Sequence, residues 1–220
     1  ADAMIARCPR GSPAPLMLRT LNRATARLAT NRLLGQSRFY AAGLTIPGTP
    51  RTLQDVTNID MLQKEEPVRI GAIWEAFHDN KDSIAGATID PEEASSIVER
   101  GTESPNFVYP LRRDGGHFML FSQFSRTHKM FVLTFLEEYQ RSPEMAQPWA
   151  SIHLFDELLT TKGVALLRAE VASERLTTKE AEHLLLLVRR YYGSANYDKV
   201  YMFNHSERHF DLGAYLAACP

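Results

Sequence analysis

The stretch NFVYPLRRDGGHFMLFSQFSRTHKMFVLTFLE, residues 106–137, decides the architecture. Phe107, Tyr109 and Leu111 alternate with other residues, the two-residue period of a strand over 106–112. Asp114-Gly115-Gly116 carries hairpin turn chemistry, and a second strand follows over 117–124. Arg126-Thr127-His128 turns the chain into a third strand over 129–137. That segment is apolar on both sides, with Met130, Val132 and Leu136 on one face and Phe131, Leu133 and Phe135 on the other. Thr134 alone interrupts it. A strand with one wet face should show polar residues there, so either helices cover both faces or one face is kept for a partner.

Further strands are expected over 149–155, 164–171 and 199–203. Helices flank them. One short helix is expected over 53–64, and a second over 67–78 with Pro67 in its first turn. Asp90-Pro91-Glu92-Glu93 is a helix start that runs to Gly101. Thr177 and Glu180 form a capping box for a helix over 178–192, closed by Gly193, and Asp211 caps a last one over 212–218. Helices first, then hairpin-linked strands, then helices again indicate an α+β fold: a single domain with a largely antiparallel sheet of about six strands flanked by helices.

The first 40 residues read differently. Between Asp2 and Asp55 there is no acidic residue and no lysine, yet Arg recurs eight times. Arg19, Arg23 and Arg27 form one cationic stripe on a helix, with Met17, Leu21, Ala24 and Leu28 on another side. This Arg-rich, acid-free composition is that of a mitochondrial targeting segment; a disordered basic arm for nucleic acid is the alternative. Arg38, Tyr40 and Ala41 resemble a matrix-protease junction. The expected organisation is a presequence over 1–40, a flexible linker over 41–52 and a domain over 53–220. The whole chain carries −1 and the leader +6, which leaves −7 for the rest. An acidic body disfavours nucleic acid as partner. No apolar run reaches the roughly 18–20 residues of a membrane span, so no stable membrane insertion is expected. Cys8 and Cys219 are the only cysteines, which leaves no disulfide or thiolate-metal site after cleavage.

Motifs of known chemistry are absent. Thr161-Lys162-Gly163 has the wrong order for a phosphate loop, and no G-x-S-x-G elbow occurs. His205 and His209 are four apart, but Glu207 does not directly follow the first His as a zinc-hydrolase pattern needs, and no third ligand is evident. Glu137-Glu138 reads as the polar end of a strand. No catalytic residue, metal, cofactor or small-molecule substrate is expected.

One resemblance spans about residues 67–216. It rests on Ile73-Trp74-Glu75 with His78, the run from Pro105 to Leu111, Asp114-Gly115 with Phe121 and Gln123, and Leu136-Glu137-Glu138-Tyr139. Asp156-Glu157-Leu158, the run from Thr161 to Val171, Tyr191-Tyr192 and Phe203-Asn204 continue it. Their order resembles the mitochondrial ATP synthase F(1) complex assembly factors, chaperones of the free catalytic β subunit. The resemblance implies a non-enzymatic matrix protein that binds unassembled β subunit and keeps it from aggregating until it pairs with α. The other reading is a structural accessory subunit of a mitochondrial complex that reuses this domain.

A holdase needs apolar surface. The candidates are Phe131, Leu133 and Phe135 in the doubly apolar strand, Trp149 as an aromatic anchor, and Leu186 and Leu187. The last two lie off the stripe Ala181, Leu184, Leu185, Val188 that the helix should bury. For each, core burial is the competing reading.

Overall fold

The computed structural model describes residues 47–79, 81–193 and 195–220. The presequence reading over 1–40, with its junction at Arg38, Tyr40 and Ala41, lies outside the described residues. Strands β1 (Ile84–Ile89), β2 (Asn106–Arg113), β3 (Gly116–Ser125), β4 (Met130–Phe135), β5 (Pro148–Phe155) and β6 (Ala165–Val171) form one sheet. The order is β1-β6-β5-β4-β3-β2, and every neighbouring pair is antiparallel. The fold is α+β. The β2–β3 hairpin turns at Asp114-Gly115, where Gly115 takes a φ of +86° that other residues resist.

The strand expected over 199–203 is instead part of helix α8 (Tyr197–His205). The four-residue apolar run from Val200 to Phe203 fits either period, and here Val200 and Phe203, three apart, share the buried side of a helix. β1 takes the sixth place in the sheet. The third expected strand stops at Phe135, and Glu137-Glu138 belongs to the first turn of helix α5 (Leu136–Arg141), where acids favour the helix dipole.

Helices cover both faces. On one face, register aligns rows such as Phe124, Phe131, Ile152, Ala169 and Ala85. Above them lie α4 (Pro91–Glu103), α7 (Thr178–Val188), a π-helical turn (Arg189–Gly193), α8 and α9 (Leu212–Ala218). The caps are those the sequence announces: Asp90 accepts from Glu93 N–H at 2.8 Å, and Thr177 and Glu180 form a capping box. Phe107 is the hub, its ring 5.3–6.2 Å from those of Tyr191, Phe203, Phe210 and Tyr215. Each such fully buried aromatic contributes roughly 1.5–3 kcal/mol.

On the opposite face α1 (Leu53–Val56), α2 (Ile59–Leu62) and α3 (Pro67–Asp79) precede β1. Trp74 donates to Leu167 O at 3.0 Å, and Trp74 and His78 press on Gly86. A Cβ at Gly86 would stand 2.6 Å from His78 Nδ1, so the close approach requires glycine. Arg168 and Glu170 are buried beneath α3 and paired at 2.7 Å. Arg51 reaches Glu170 at 3.1 Å, Thr49 O accepts from His153, and Gly48 packs on Pro148. The end of the segment read as a linker is thus fastened to the sheet. The small chain α6 (Leu159–Lys162) joins β5 to β6.

Candidate functional site

Three half-buried aromatic rings meet where β3 begins, β4 ends and β5 begins: Phe118, Phe135 and Trp149. A β-bulge produces the meeting. Leu133 pairs with Ala150 but Thr134 pairs with Pro148, so Trp149 is an extra residue on β5. The bulge re-aims its indole onto Phe135, with ring centroids 4.8 Å apart and planes 21° from parallel. Phe118 closes the group at 5.8 Å from Trp149 and 6.2 Å from Phe135.

Two guanidinium groups rim the rings. Arg113 lies 4.8 Å from the centroid of Phe118, and Arg175 lies 5.1 Å from that of Trp149. Arg113 is held from behind by both Glu180 oxygens, at 2.7 and 2.9 Å, and these bonds hold it more firmly protonated. Ala146 packs beside the core, and the neighbouring Met145 is 73% exposed. Rigid aromatic area rimmed by ion-paired arginines suits a protein partner.

The structure separates the residues picked from sequence. Phe135 and Trp149 stand together in this cluster. Phe131 and Leu133 share its face of the sheet but are fully buried under α4, α7 and the π-helical turn, with the Phe131 ring tilted against that of Tyr192 at 4.9 Å. The expectation that they offer free surface is corrected: both faces of the sheet are roofed. Leu186 is 61% exposed on α7, beside a groove lined also by Glu93, His183, Arg190 and Pro220. Leu187 is buried, contrary to its placement off the stripe. Besides β1 and β6, α7 also packs on β2, which closes a second side of it, so its buried arc is wider than one stripe. Phe118, Arg113 and Arg175 escaped the sequence reading. Phe118 had a signal, since hairpin register about Asp114-Gly115 places it opposite Leu111.

His78, His153 and His205 have structural partners. His78 Nδ1 donates to Trp74 O at 2.6 Å, and its Nε2 accepts from Arg168 at 3.0 Å, which defines a neutral tautomer. Burial brings its pKa down to about 4. His153 donates from Nε2 to Thr49 O at 3.0 Å and is likewise lowered by burial. His205 ends α8 with Nε2 3.1 Å from Ser104 Oγ, while His209 lies in the following 3-10 turn, so the two do not share one helical face. Among the described residues no group of three His, Cys, Asp or Glu is placed to hold a metal ion, and no helix is long and apolar enough to cross a membrane.

Residues 44–213 match the family model described as ATP11 protein. The chain is 27% identical over 170 residues to a zebrafish protein named ATP synthase mitochondrial F1 complex assembly factor 1, covering 76% of this chain and 55% of the relative. The human protein of that name is 28% identical over 170 residues, covering 76% and 51%. A fission yeast protein named Protein atp11, mitochondrial, is 28% identical over 137 residues, covering 60% and 48%. The chain spans about half the length of the curated relatives it matches.

Proposed function

Since this chain belongs to the ATP11 family, we propose that it is an assembly factor of the mitochondrial F1 ATP synthase that binds the unassembled β subunit in the matrix. It shields the surface that the α subunit later covers, and it makes or breaks no covalent bond. The aromatic cluster of Phe118, Phe135 and Trp149 with its Arg113 and Arg175 rim is the observation that carries this reading. Such half-buried aromatics supply large, preorganised contact area at little entropic cost. Phe135 and Trp149 are the proposed anchors, and Leu186 a separate contact. A subunit awaiting its neighbours exposes an apolar patch that aggregates. The assembly factor masks it until α, binding more tightly, displaces it by mass action. Residues 1–40 serve import and are removed after Tyr40.

Co-purification tests this. The protein should be recovered with β subunit from cells lacking α, and should be absent from the finished synthase. Recovery with the intact enzyme at a fixed ratio would identify an accessory subunit instead.

A further inference from the structure

The two edges of the sheet are finished differently. Phe124 of β3 donates its N–H to Pro105 O just before β2, and Val171 of β6 donates to Ser83 O just before β1. Alternation along an antiparallel ladder then turns outward the N–H and C=O groups of Asn106, Val108, Pro110 and Arg112 on β2, and of Ile84, Gly86 and Thr88 on β1. On β2 the first three of these positions are covered at least in part. The Asn204 side chain imitates a strand, accepting from Asn106 N–H at 3.1 Å and donating to Asn106 O at 2.6 Å. Tyr215 donates to Val108 O at 2.7 Å, and Pro110 has no N–H to offer.

Among the described residues β1 has no such finish. Among the described residues no hydrogen bond reaches the outward groups of Ile84, Gly86 and Thr88. Gly86, Ala87 and Thr88 are half-exposed, and Ile84–Ile89 contains no charge and no proline to guard the edge. One flank of α3 overlooks it. Val68, Gly71, Ala72, Glu75 and Asp79 share that flank by three- and four-residue spacing. A Cβ on Gly71 would stand 3.3 Å from Thr88 Oγ1, which ties the flank to β1. Val68 is 88% exposed, and Glu75 and Asp79 are exposed beside it.

Backbone groups in this spacing are complementary to one kind of ligand, an extended polypeptide. A second copy fits poorly. Trp74 and His78 both abut Gly86, so Glu75 sits over the middle of β1; pairing β1 with itself about Gly86 brings Glu75 against its own twin, a like-charge contact. We propose that the outer edge of β1 is a strand-docking site for an extended segment of the client, uncharged along Ile84–Ile89 and carrying a Lys or Arg toward Glu75 and Asp79. This deepens the functional reading above and rests on it.

The test uses isolated F1 β subunit and the full chain. Thr88→Pro removes an outward N–H while leaving the ladder to β6, which uses Ala87 and Ile89, intact. Thr88→Val is the isosteric control that keeps it. Thr88→Pro should weaken β-subunit capture about tenfold, the worth of one or two main-chain hydrogen bonds, with Thr88→Val unchanged. Reversing charge with Glu75→Lys and Asp79→Lys should weaken it as well. Amide exchange on the wild type gives an arm free of folding effects: Ile84, Gly86 and Thr88 should gain protection when β subunit binds. Binding without that protection, or a folded Thr88→Pro that binds normally, overturns the edge site alone. Protection that grows with the protein's own concentration makes the occupant a second copy and also overturns it. No binding at all refutes the client reading itself.

Discussion

Acidification from about pH 7.5 to about pH 5 probes the polar network that seats α3 on the sheet. His78 is 2% exposed, and burial, partly opposed by its bond to Trp74 O, lowers it from 6.5 to about 4. In the unfolded chain it titrates near its ordinary value of about 6.5. Between those two values the unfolded state holds the extra proton. Stability from this group is therefore complete above about pH 6.5 and is lost as pH falls toward about 4. The whole gap is worth about 3 kcal/mol, of which about 2 kcal/mol has gone by pH 5. His153, lowered by the same cause, acts in the same direction. His78→Gln retains an acceptor for Arg168 but cannot titrate in this range. Denaturant unfolding at both pH values should then show the wild type losing about 2 kcal/mol more than the variant. Equal losses would mean that His78 takes up its proton in the folded state, and the neutral tautomer assigned from Arg168 would be wrong.

Three further outcomes are expected. Phe135→Ala combined with Trp149→Ala should keep a folded domain by circular dichroism yet lower β-subunit capture at least about tenfold, since such anchors dominate interfaces; unchanged capture would clear the aromatic cluster of any role. Leu187→Asp should cost more than about 3 kcal/mol by burying an unpaired charge, while Leu186→Asp stays within about 0.5 kcal/mol in thermal or denaturant unfolding; a reversed order would contradict the packing of α7. Asn204→Ala should cost about 1–3 kcal/mol by orphaning the backbone of Asn106 and should raise aggregation seen by light scattering; an unaffected variant would show that the edge needs no cover.

Hairpin and cap signals were legible because they are local. Asp114-Gly115, Asp90-Pro91 and the Thr177/Glu180 box each dictate geometry within a few residues, and each appears where expected. β1 was not legible: Ile84-Ala85-Gly86-Ala87-Thr88-Ile89 is half small residues, selected by the close approach of Trp74 and His78 and not by strand propensity. The run around Lys199–Phe203 failed for the opposite reason, since its strand-like composition yields to packing of Val200 and Phe203 against the aromatic core. The candidate surface was half visible. Phe135 and Trp149 stand out as residues, but their contact depends on a bulge between Leu133 and Thr134 that no alternation announces. Exposure of Leu186 beside buried Leu187 depends on what closes the second side of α7, a long-range fact.

The central claim is that this domain masks an orphaned subunit and yields it to the proper neighbour. Isolated F1 β subunit diluted from denaturant in the presence of equimolar protein, followed by light scattering and then by addition of α subunit, tests it most directly. A clear solution holding a one-to-one complex is expected, which dissociates as α is added and leaves this protein free. Scattering as strong as that of β subunit alone, or a complex that α cannot displace, would contradict it.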